Sequence, residues 1–187
     1  NSTVVFDTIG KKMNINLDYF EFKNDNNRIF NTLNLLSANN TNLQDIENYS
    51  TKIDFEHPIK WINLSYGGKL SFIKTQNNVD YFDTTTGIPI FDPTQSNEFN
   101  YKENIQAIYL NGTKKLNVNW ETQLGIRLEN TQTEGFSKTL NQKNTNNYAK
   151  LFPTFYLTYT PNETNSFSIN YNKRINRPSY NRLNPFR

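Results

Sequence analysis

The chain has 187 residues and a mass of 22.0 kDa, the size of one ordinary domain or a piece of a larger one. It holds no cysteine and a single histidine, His57, which excludes disulfides, thiolate metal sites, thiol catalysis and multi-histidine metal centres. The net charge of +3 is uneven, with 8 basic and 11 acidic residues in 1–93 against 12 and 6 in 94–187.

Period-2 alternation runs along nearly the whole chain, so successive side chains point to opposite faces of strands. Met13, Ile15, Leu17 and Tyr19 form the first apolar set. The polar run 23–27 reads as a short turn, and 28–37 as a less regular strand with Ile29, Leu33 and Leu35 on one face. Residues 38–48 read as a long loop. Tyr49, Ile53 and Phe55 then oppose Ser50, Lys52, Asp54 and Glu56. A turn at 58–61 leads to Leu64, Tyr66, Leu70 and Phe72, which alternate with Asn63, Ser65, Lys69 and Ser71. Residues 77–98 form the longest predicted loop. A strand over 99–111, with Ile105, Ala107 and Tyr109, is followed by a turn at 111–115.

The clearest alternation covers 116–129. Leu116, Val118, Trp120, Leu124, Ile126 and Leu128 share one face, and Asn117, Asn119, Glu121, Gln123, Arg127 and Glu129 the other. At ~3.3 Å per residue such a stretch exceeds ~40 Å, whereas strands of soluble proteins usually stop at about five or six residues. A loop at 134–147, a strand carrying Leu151, Phe155, Leu157 and Tyr159, a turn at 161–164 and a strand with Phe167, Ile169, Tyr171 and Ile175 complete the series. No segment has a helical cap with a 3.6 period.

These elements predict an all-β fold: about eight up-and-down antiparallel strands of a transmembrane β-barrel, with residues 1–187 as a single segment of it. A greasy face, a polar face, short turns on one edge and long loops on the other are the signature of outer-membrane barrels, and only a closed barrel satisfies every backbone group in lipid without helices. Tyr49, Tyr109 and Tyr159 at strand ends suit the interfacial girdles. Outer-membrane lipid is therefore the expected partner of the apolar face. Taking the short turns as periplasmic puts residues 1–11 and 176–187 at the outer rim. The long polar groups suit a wide lumen, and the non-strand ending Asn184-Pro185-Phe186-Arg187 suits a slice of a larger barrel. The isolated slice would then expose two open edges, with edge-to-edge self-association as one outcome.

Several stretches resemble the outer-membrane β-barrel proteins of the TonB-dependent receptor type. Residues 98–111 (Glu-Phe-Asn-Tyr-Lys-Glu-Asn-Ile-Gln-Ala-Ile-Tyr-Leu-Asn), 125–129 (Gly-Ile-Arg-Leu-Glu) and 151–153 (Leu-Phe-Pro) match its strand motifs, and His57-Pro58 its turn before Leu64 to Gly67. The most specific stretch is 172–186, with Arg177, Pro178, Leu183, Asn184, Pro185 and Phe186. The resemblance covers about residues 12–187. It implies uptake of a nutrient across the outer membrane through a barrel of about twenty-two strands, with a plug domain and the TonB system as partners in the full-length protein. The alternative is a non-transporting structural or adhesive barrel, or a subunit of a surface complex.

The site residues proposed on this reading are lumen-facing rather than catalytic: Glu121, Gln123, Arg127, Glu129, Asn170, Asn172 and Arg174. No enzyme activity is expected, because Glu121 and Glu129 lie ~26 Å apart along a strand, too far for paired-carboxylate chemistry. His57 beside Pro58 is read as a turn residue. Asp80, Asp83 and Asp92 lack the spacing of a calcium loop, so neither a metal nor a cofactor is expected. The basic end (Lys173, Arg174, Arg177, Arg182, Arg187) comes without an RNP, KH or zinc pattern and is read as a solvated or pore-facing cluster, with no nucleic acid partner.

Overall fold

A computed structural model describes residues 1–32 and 35–176, with the side chains of 35 and 36 left out. Its elements are β1 (Ser2–Val5), β2 (Lys12–Thr32), β3 (Leu35–Ile59), β4 (Ile62–Asp83), β5 (Ile90–Phe91), β6 (Asn97–Lys115), β7 (Trp120–Ser137), β8 (Gln142–Asn162) and β9 (Asn165–Asn172). All pairings are antiparallel, in the order β1-β2-β3-β4-β6-β7-β8-β9, with β5 folded back on the end of β4. Apart from β5, each strand pairs with its neighbour in sequence, the up-and-down connectivity read from the alternation. Among the described residues β1 and β9 do not pair, so the sheet is open.

The strands are longer than the sequence suggests. β3 has 25 residues, or ~80 Å at ~3.3 Å each. Four expected connections move accordingly. Residues 23–27 are not a turn: they lie inside β2, where Lys23 to Asn27 pair with Asp45 to Thr41. The predicted loop 38–48 is therefore the first half of β3. The loops expected at 77–98 and 134–147 shrink to the short spans 84–96 and 138–141. The cause is physical. Through residues 23–27 and most of 38–48 both faces carry polar side chains, so alternation disappears, while the interstrand ladder that makes a strand continues.

The turn placed at 111–115 lies four residues further on. The Asn117 side-chain oxygen accepts the backbone N–H groups of Asn119 and Trp120, at 2.9 Å each, and the Leu116 N–H bonds to the Trp120 carbonyl. Leu116 and Val118 thus continue the apolar rhythm through a turn, and Val118, expected on a strand facing lipid, is 98% exposed at its tip. The turns at Lys60–Trp61 and Glu163–Thr164 fall within their predicted spans. The N-terminal segment is also corrected. The hairpin between β1 and β2 lies at the edge that carries the short turns, so residues 1–11 are not at the rim of the longer loops.

The two faces differ sharply. On one, Leu17, Ile53, Leu70, Phe72, Ile108, Leu124, Ile126, Leu151, Phe155, Ile169 and Tyr171 line up across the strands, and most are exposed. On the other lie the buried residues of β4, β6, β7 and β8: Ser71, Thr75, Asn77, Phe99, Tyr101, Glu103, Ile105, Ala107, Glu129, Thr131, Ser137 and Phe152. Among the described residues no second layer covers that face. Its side chains bury one another, which requires the sheet to curl toward them. The polar face is therefore concave and the apolar face convex.

On β3 the convex face is apolar from Tyr49 to Ile59 apart from Thr51 and His57. Ten steps are ~33 Å along the strand, or ~25 Å after a tilt of ~40°, the height of the apolar band of outer-membrane barrels. Tyr19 and Tyr49, with ring centroids 4.9 Å apart, mark one border, and the stacked pair Trp120 and Tyr159, at 4.5 Å, marks the other. Glu21, Glu47, Lys74, Lys102 and Glu134 form a charged row across the convex face just beyond the first border.

Two outcomes follow. Spin labels at positions 124 and 123, in detergent or lipid, should differ: oxygen relaxes the label at 124, a polar nickel chelate the one at 123, and equal behaviour contradicts the facing. At the β1–β2 hairpin the Asp7 carboxylate accepts the N–H groups of Lys11, Ile9 and Gly10. The Lys11 bond, helped by the weaker Ile9 and Gly10 bonds, holds its pKa below the ordinary value against desolvation, which is second in size to the Lys11 bond. A carboxyl depressed in the folded state supports the turn above its ordinary pKa and loses that support as the pH falls through the depressed value. Hydrogen-exchange protection of these three amides should drop below about pH 4, and Asp7→Asn should abolish the pH dependence.

Candidate functional site

The concave face near the short-turn edge is built by register. One row runs Asp54, Gly67, Tyr109, Arg127, Phe152 across five strands, and the next runs Lys52, Lys69, Ala107, Glu129, Lys150. Gly67 in the first row and Ala107 in the second each stand between longer side chains, which leaves room for those side chains to lie over them. The Tyr109 hydroxyl crosses Gly67 to donate to the Asp54 carboxylate, which also pairs with Lys52 at 2.8 Å. A Cβ at Gly67 would fall against the Ile53 carbonyl oxygen and 2.6 Å from the Tyr109 hydroxyl oxygen, so only glycine leaves this path open.

Arg127 lies over the other side of the Tyr109 ring, 5.9 Å from its centroid, and gives Glu129 two hydrogen bonds, at 2.7 and 3.1 Å. Glu129 is 4% exposed and also accepts from the Thr131 hydroxyl at 3.4 Å. A buried carboxylate is tolerated only when paired and hydrogen-bonded, and these donors supply that. The result is a continuous chain Lys52–Asp54–Tyr109–Arg127–Glu129–Thr131 spanning four strands.

Glu121, Gln123, Arg127, Glu129, Asn170 and Asn172 share this face. Asn172 donates to the Tyr156 hydroxyl at 2.8 Å. Gln123, Arg127, Glu129, Asn172 and Arg174 line one hollow of about 400 Å³ with Phe152 and Tyr156. Glu121 lies outside it, opposite Lys115 at the turn edge. The motif residues Arg177, Pro178, Leu183, Asn184, Pro185 and Phe186 lie outside the described residues.

Tyr109 is a correction. Its place near a strand end suggested the apolar girdle, but it stands on the concave face, while Tyr49 and Tyr159 are on the convex one. Lys69, Gly67 and the Tyr109–Asp54 link were not singled out by the sequence. The usable signal was parity, since Ile108 and Leu110 claim the apolar face of β6 and force Tyr109 to the other.

A tilted antiparallel meander, apolar outside and charged inside, is a wall segment of a transmembrane β-barrel. The chain belongs to the outer membrane protein beta-barrel family, which matches it over residues 5–187, and the outer membrane is its location. No curated protein matches it in sequence. Among solved structures, the ferric citrate transporter FecA in its unliganded form superposes with a TM-score of 0.65 at 13% identity, covering 86% of this chain and 24% of FecA. The siderophore receptor PiuA from Acinetobacter baumannii gives 0.64 at 12%, covering 87% and 29%. The ferric yersiniabactin uptake receptor FyuA from Yersinia pestis gives 0.57 at 14%, covering 82% and 24%. The chain thus spans about a quarter of these receptors, and the likeness is one of fold, the barrel of the TonB-dependent receptor type.

Because Tyr109 must cross Gly67, Gly67→Leu should cost about 1–3 kcal/mol through overpacking, read as a lower urea midpoint for the intact barrel. Gly68, whose Cβ would meet the Ala107 carbonyl oxygen at 3.4 Å, should accept alanine with a smaller loss.

Proposed function

We propose that residues 1–187 form a single stretch of the wall of a TonB-dependent-receptor-like barrel that takes up a nutrient across the outer membrane. The supporting observation is the contrast between faces: a convex band of ~25 Å suited to outer-membrane lipid backs a concave face crossed by a charged, hydrogen-bonded chain. On this reading Glu121, Gln123, Arg127, Glu129, Asn170, Asn172 and Arg174 face the lumen, and none acts in catalysis. The Arg127–Glu129 chain stiffens the wall. Arg174, Lys69 and Lys150 remain available to an aqueous interior or to a plug domain in the full-length protein, which draws energy through the TonB system. The open edges are completed by further strands of the same barrel. Edge-to-edge pairing of two copies is the outcome when those strands are missing, because unpaired backbone groups in lipid cost several kcal/mol each.

The test compares solute depletion from the medium by cells with and without the gene. At least one solute should be removed only when the gene and an intact TonB system are both present, and a protonophore should stop its removal. Identical depletion profiles in the two strains would overturn the uptake reading.

A further inference from the structure

The concave face changes character toward the edge carrying the longer connections. Two rows below it are rich in charge. The three rows that start from Phe22, Asn24 and Asn26 carry no charged side chain on this face on any strand they cross. They carry amides instead: Asn24, Gln44 and Asn77 in one row, and Asn26, Asn42 and Asn97 in the next. Phe20 and Phe22 flank the patch on one side and Phe30 on the other, and all three rings are exposed.

Asn97 accepts from the Ser137 hydroxyl at 3.0 Å. Asn77 is only 8% exposed, and the Asn42 side-chain oxygen is buried without a hydrogen-bond partner among the described residues. Buried amides left without partners are uncommon and costly, and each offers one acceptor and two donors. Other patches carry less. On the convex face the hollow beside Ile53, Phe55 and Leu70 belongs to the apolar band already described, the one lined by Lys23, Asp25, Asp45 and Glu98 lies beyond that band and carries charges of both signs, and the Asp83 and Asp92 turns are satisfied by Thr85 and Thr94.

We infer that this amide patch is a binding surface for a neutral, hydroxyl-rich ligand, an oligosaccharide. The inference rests on the reading of the concave face as a barrel lumen. A sugar ring presents hydroxyl groups that both donate and accept, which matches a side-chain amide group for group. Its C–H face suits the exposed rings of Phe20, Phe22 and Phe30, whose faces are electron-rich. An anionic solute would find one cation here, Arg28, a step beyond the amide rows. The patch thus selects against charge by leaving it undersolvated, as sites with few placed polar groups do.

The test uses the intact outer-membrane protein in a detergent without a sugar headgroup. Maltohexaose, cellohexaose, laminarihexaose and mannohexaose are titrated by calorimetry, with a neutral hexapeptide pool and citrate as competing chemistries. At least one sugar should bind, with a Kd that shifts less than about twofold between 50 and 500 mM NaCl, since a neutral ligand is not screened. Asn24→Leu with Gln44→Leu should weaken binding by about tenfold or more, Phe22→Ala should weaken it too, and Lys69→Ala should not. Heat-modifiable migration verifies that each variant is folded. If the leucine variants do not fold, Asn24→Gln and Gln44→Asn, which keep the amide chemistry, should retain the sugar, while Phe22→Ala supplies the loss. Failure of all four sugars to bind, binding that collapses with salt, or binding of the peptides alone would overturn the inference. Binding of citrate alone would overturn it and leave the uptake reading intact, whereas sugar binding without TonB-dependent depletion would do the reverse.

Discussion

Everything in this sheet depends on backbone hydrogen bonding where no water can substitute. In a hydrocarbon layer each strand must find its partners in its neighbours, so the ladder is continuous from β2 to β9 and each register is held over most of its length. A β-bulge between Phe30 and Asn31 and an irregularity between Tyr159 and Asn162 are the described interruptions. Both fall near strand ends, outside the apolar band. The same demand bears on the edges, which stay open among the described residues and whose backbone groups would need partners in lipid.

Once the ladder is set, curvature decides the rest. Side chains on the concave face converge, and those on the convex face diverge. Glu129 can be buried because Arg127 and Thr131 are pressed against it, and Tyr109 can reach Asp54 because Gly67 leaves a gap in the row between them. On the convex side the same spacing leaves Leu70, Ile108 and Leu124 half open, a cost in water that lipid removes. The charged chain and the apolar band are two consequences of one bend.

The face also changes with height. Near the short-turn edge the concave rows are charged, with Lys52 and Asp54, and Arg127 and Glu129, paired among them. Toward the longer connections the strands rise past the lipid band, charges leave the concave face, and amides and phenyl rings replace them. The concave face thus divides into a stiff lower collar and an upper surface rich in amides.

The all-β class, the up-and-down connectivity, the two-faced character and the facing of Leu124 against Gln123 were all readable from the alternation in the chain, because a lipid-facing strand must segregate its side chains every second residue. Where that pressure ends, so did legibility. Residues 23–27 looked like a turn by composition and proved to be strand, since asparagines that face water on both sides carry no periodic signal and only pairing with 41–45 defines them. Leu116 and Val118 kept the rhythm through a turn that the Asn117 side chain builds. The Tyr109–Asp54 link joins residues 55 apart in sequence, and the buried, unpaired oxygen of Asn42 depends on neighbours from β2 and β4. Such contacts follow from register between strands, which local sequence does not encode, and from curvature, which belongs to the sheet as a whole.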